Sequence, residues 1–119
     1  MSAVMLLIRE SQMQMLSRES SFEWMAAHLR EFFPAECEAL GADGLDERIT
    51  DGIGSAASYG FESQVHISQY LDLTFVLGPD FDADPSLPWA ASILSNPALS
   101  AERRMELLLE TALASGQAR

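Results

Sequence analysis

The chain has 119 residues, 48% of them hydrophobic and 21% charged, which is the composition of one globular domain and excludes a disordered or fibrous chain. Eighteen Asp and Glu face seven Arg and no Lys, for a formal net charge of -11. A field of that sign repels nucleic acid and anionic membrane surfaces, and fits good solubility or a basic protein partner. The single cysteine, Cys37, rules out an intramolecular disulfide, and its neighbours Glu36 and Glu38 disfavour a thiolate, so it reads as a packing residue.

Residues 3–8 (AVMLLI) form a short apolar run with no preceding Lys or Arg. That is too short for a signal peptide or a membrane span, so the expected location is the cytoplasm, with this run docked on the body. Residues 10–33 read as helix, in one piece or in two with a kink over residues 17–21. Phe22, Met25, Ala26, Leu29, Phe32 and Phe33 give its later part an apolar face, and Ser20-x-x-Glu23 matches a capping box. Pro34 ends this run or opens the next as a first helical residue.

Residues 34–40 fit a short helix closed by Gly41, and Asp43 is the expected N-cap of a helix over 44–59. Its buried face is Leu45, Ile49, Ile53 and Ala56 or Ala57. Gly52 and Ala56, four apart, offer a neighbouring helix a close approach, and Gly60 is the expected C-cap. The Gly52-Ile53-Gly54 sequence lies in this helical stretch with no strand before it, so it reads as packing rather than a phosphate loop.

Ser63 is expected to cap a central helix that runs to Leu77. Gln64, Ser68 and Asp72 lie on one line of it, with Val65, Ile67, Tyr70, Leu71, Leu73, Phe75, Val76 and Leu77 around them, and it ends apolar nearly all round, so the rest of the chain must cover it. Gly78-Pro79 stops it. The loop over 79–88 holds three prolines, with Phe81 and Leu87 expected to lie against the body. A short helix follows with Pro88 at its first position. Ser100 then caps a last helix, where Met105, Leu108, Leu109, Ala112 and Leu113 form one face and Glu102, Arg103, Glu106 and Glu110 the other. Residues 115–119 are expected to fray. The fold expected is all-α: residues 1–119 as one compact single-domain bundle of about five or six short helices around a central buried helix.

Chemistry-bearing residues are few. Asp80-x-Asp82-x-Asp84 opens like a calcium loop, but Pro85 stands where the turn needs Gly and Ala91 where a bidentate Glu belongs. Neither His28 nor His66 has a second His or a Cys at ligand spacing on its helix. No Walker, nucleophile-elbow or HExxH sequence occurs. Asp72 and His66 are the candidate buried polar residues, with Arg30, Arg48 or Arg103 as the expected partner of Asp72. An enzyme built on Asp72 and His66 requires both to converge in one pocket. Asp80, Phe81, Asp82, Asp84 and Trp89 are the candidate partner-binding residues. No catalytic residue, metal or cofactor is assigned.

Several runs carry a resemblance. Tyr59-Gly60, Tyr70-Leu71-Asp72-Leu73 and Gly78-x-Asp80-Phe81-Asp82-x-Asp84-Pro85-x-Leu87-Pro88-Trp89-Ala90 resemble a group of small uncharacterised bacterial proteins associated with gene neighbourhoods of type VI secretion spike, PAAR-tip and toxin genes. Residues 5–9 (MLLIR) with Gln12-Met13, and Ala27-His28-Leu29-Arg30-x-Phe32-Phe33-Pro34, are similar as well. The resemblance implies a non-enzymatic adaptor or chaperone for a secreted effector or a spike/PAAR component, or alternatively an immunity protein that inhibits a toxin through its acidic surface.

Overall fold

The computed structural model describes residues 18–114. The expectations for residues 3–8, for 10–17 and for 115–119 lie outside the described residues. Among the described residues five α-helices make one bundle: α1 (Arg18–Phe32), α2 (Pro34–Ser58), α3 (Gln64–Leu77), α4 (Pro88–Leu94) and α5 (Ala101–Ala114), with a 3-10 turn at Phe81–Ala83. No strand occurs among the described residues.

The helix boundaries follow local chemistry. Phe33 separates α1 from α2, and Pro34 occupies the first turn of α2, where its missing N–H has no partner to lose. Gly41, at φ 75° and ψ 172°, kinks α2, as its place after residues 34–40 predicts. Helix resumes directly after it, so Asp43 lies inside the new first turn instead of capping it. Ser20 likewise sits within α1 and does not mark its start. At the end of α2 the Gly60 N–H donates to Ala57 O (3.0 Å) and the Phe61 N–H to Ala56 O (3.0 Å), a Schellman closure with Gly60 at φ 89°. Ser63 Oγ accepts from His66 N at 3.1 Å, and Ser100 Oγ from Arg103 N at 3.1 Å, so both predicted serine caps form.

Helix α3 organises the bundle. Residues 68–75 are buried without interruption, Ser68 and Asp72 of the polar line included. Leu71 and Phe75, four apart, enter one core with Met25, Leu29, Leu45 and Ile49 from α1 and α2. Tyr70 and Leu73, three apart, enter a second core with Phe61, Phe81, Leu94 and Leu108. Burial of each such side chain stabilises the fold by roughly 1.5–3 kcal/mol. Gly52 meets α3 so closely that a Cβ there would overlap Leu71 Cδ2, which realises the close approach expected at Gly52 and Ala56. Helix α5 buries Met105, Leu108 and Ala112 and turns Glu102, Arg103, Glu106 and Glu110 outward. Leu113 departs from its expected face and is 46% exposed.

Candidate functional site

The acidic loop is used largely by itself. Gly78 turns the chain out of α3, and Phe81 then packs at 0% exposure, its ring 5.1 Å from that of Tyr70. Phe81 is therefore a core residue and not a partner contact, because an apolar ring next to α3 gains more from burial than from exposure. Asp82 Oδ2 accepts from Tyr59 Oη at 2.7 Å; burial, then that bond and the carboxylate's charge, push the Tyr59 phenol up to about 12. Asp84 Oδ1 accepts from the Ser86 amide (2.9 Å) and from Ser86 Oγ (2.7 Å), which holds its carboxyl below the usual range. Asp80 is exposed and Trp89 half-buried against the second core. Among the described residues, no three His, Cys, Asp or Glu side chains gather to hold a metal ion.

Asp72 is fully buried, and its partner is neither an arginine nor His66. Nε2 of His28, itself 9% exposed, lies 2.9 Å from Asp72 Oδ1 and 3.2 Å from Oδ2, joining α1 to α3. Trp24 stacks on the imidazole at 5.1 Å and 10° between planes, and Phe32 covers its other neighbourhood at 4.9 Å. Burial raises the Asp72 carboxyl to about 6, against the opposing pull of the His28 bond. The arginines expected at Asp72 are engaged elsewhere or exposed. Arg48 Nη2 donates to Thr74 O at 2.6 Å, and its guanidinium lies 4.4 Å above the Phe75 ring. Arg103 pairs with Glu106. Arg30 is exposed. His66 is half-buried, edge-on to Phe61 at 6.0 Å, beside a cleft that Glu102, Arg103 and Glu106 share. The two candidate buried polar residues thus take different partners and do not converge.

Two further hollows flank α3. A polar chamber of about 110 Å³ lies under Pro79 and Asp80, lined by Arg48, Asp51, Ser55, Tyr70 and Thr74. The Tyr70 hydroxyl and Arg48 Nε make no hydrogen bond there, with Ser55 the near polar neighbour of Tyr70. Burial pushes the Tyr70 phenol up. An open trough of about 500 Å³ runs between α1, α2 and the start of α3, with Phe22, Met25, Ile53 and Ile67 as its apolar lining and Thr50, Glu62 and Gln64 beside them. Sequence periodicity places Phe22, Met25, Ile53 and Ile67 on their helices but not the hollow they enclose. No described helix is long and apolar enough to cross a membrane. Compared with known protein families, with curated proteins and with solved structures, the chain matches none of them.

Proposed function

We propose that the protein is a non-enzymatic protein-binding module that works in the cytoplasm as an adaptor or chaperone for a type VI secretion effector or a spike/PAAR component. The observation that carries the reading is where the negative charge sits. Beyond the Gly41 kink, Asp43, Asp46, Glu47 and Asp51 recur at i, i+3, i+4 and i+8, all exposed, as an acidic ridge along α2. Neither Arg48 nor Arg104 forms an ion pair with it: Arg48 serves a carbonyl and an aromatic ring, and Arg104 serves the carbonyls of Tyr59 and Asn96. A ridge of this kind selects a cationic protein surface and draws it in at low ionic strength.

Affinity capture from the native host, followed by mass spectrometry, tests this. The expected result is a secretion-system protein retained at low salt and released at high salt. Capture of no such protein, or capture indifferent to salt, contradicts it. The same ridge favours an immunity protein as the second reading, since it suits the basic cleft of a toxin. Co-expression separates the two: rescue from killing supports immunity, and improved solubility or export of the client supports the adaptor.

A further inference from the structure

The trough between α1, α2 and α3 has the lining chemistry of a helix-binding groove. Its floor is apolar, formed by Phe22, Met25, Ile53 and Ile67. Phe22, Ile53 and Ile67 are only half-buried by the core beneath them. Its border carries one carboxylate, with a second a helical turn away. Glu62 lines the trough directly, and Asp46 lies one helical turn before Thr50 on the same side of α2. A volume of about 500 Å³ lies within the range that holds several packed side chains. A second copy of this chain is a poor occupant, because it carries the same net charge of -11.

We propose that this trough receives an amphipathic helix of a partner protein, with apolar side chains at i, i+3, i+4 and i+7 seated on the floor and Arg or Lys at its flanks meeting Glu62 and Asp46. The proposal rests on the protein-binding reading above and names the surface and the chemistry of the partner segment. The apolar contact supplies the seat, and the charge pattern sets orientation and speed of encounter.

The probe is a synthetic amphipathic helix of roughly four turns with leucines at those positions and arginines at both flanks; a copy with glutamates at the flanks is the control. Binding is followed by fluorescence anisotropy at low salt. Wild-type protein is expected to bind the arginine-flanked helix and not the glutamate-flanked one. The exposed substitution Glu62→Arg should weaken binding by about tenfold or more. Asp80→Arg makes the same change of net charge on the loop, away from the trough, and should leave the affinity within about twofold. Methyl resonances of Met25, Ile53 and Ile67 should move on titration. Equal weakening by Glu62→Arg and Asp80→Arg, unmoved methyl resonances, or no binding of the arginine-flanked helix overturns the groove. A captured native partner that binds the Glu62→Arg protein as tightly as wild type also removes the groove, while leaving the protein-binding reading in place.

Discussion

The two cores on either side of α3 are built differently. On the loop side, Phe61, Phe81 and Leu108 are at 0% exposure, and Tyr70 and Phe81 pack ring against ring under the loop, α4 and α5. On the α1 side the core holds the thiol Cys37, borders a buried carboxylate–imidazole pair, and is edged by half-buried Phe22, Trp24, Phe32, Ile53 and Ile67. The loop side has a half-buried edge too, with Tyr59, Leu77, Trp89, Ile93 and Leu109, but its centre is ring-on-ring packing with no buried ion pair. The α1 side joins its helices partly through one polar bond, and among the described residues its apolar edge lines the open trough. A binding surface belongs where an apolar edge meets an open hollow, and the trough on the α1 side is such a place.

The contrast can be broken or sharpened by mutation, from the largest effect downward. Leu73→Asp puts an unpaired carboxylate into the loop-side core and should leave no cooperative melting transition by circular dichroism. His28→Ala strips Asp72 of its partner and should destabilise by about 3–5 kcal/mol in urea unfolding; a loss under about 1 kcal/mol means that the pair does not hold α1 to α3. The pH dependence of Asp72 has a definite sign. Its carboxyl is raised from 3.8 to about 6 in the fold, so the folded state holds the proton more tightly than the unfolded chain. The resulting contribution is fully present below the unfolded pKa and is lost as pH rises through about 6. Roughly 3 kcal/mol of pH dependence should therefore vanish in Asp72→Asn, whose amide oxygen still accepts from His28, and that variant should be at least as stable as wild type at pH 7. Urea titrations across this range check it, and parallel pH slopes for both proteins refute it. On the loop side, Asp82→Ala removes the bond from Tyr59 and should cost about 1 kcal/mol, without changing capture of the partner.

Much of the fold was legible because it is local. The Ser63 and Ser100 caps, the Gly41 kink, Pro88 in the first turn of α4 and the inward face of α5 depend on residues within a turn or two of each other. The close approach at Gly52 was legible too, since a missing side chain opposite an apolar helix leaves few other uses. Ser20 misled because a capping-box spelling also occurs within a helix, where Ser and Glu need not cap anything. The partner of Asp72 was not legible from charge. Its 44-residue separation from His28 carries no local signal, and pairing by charge alone pointed to arginines. A usable clue lay in α1, where Trp24, His28 and Phe32 stand four apart and share a line with the apolar face. In the loop, Asp82 and Asp84 accept hydrogen bonds from Tyr59 and Ser86, partners that the spacing of the acidic residues does not reveal.

The most direct test of the account is amide hydrogen exchange on the protein alone and bound to its captured partner. Protection is expected in peptides covering residues 18–32 and 46–67, around the trough, with residues 79–94 unchanged. Protection confined to residues 79–94, with the trough peptides unchanged, would contradict it and return the interface to the acidic loop.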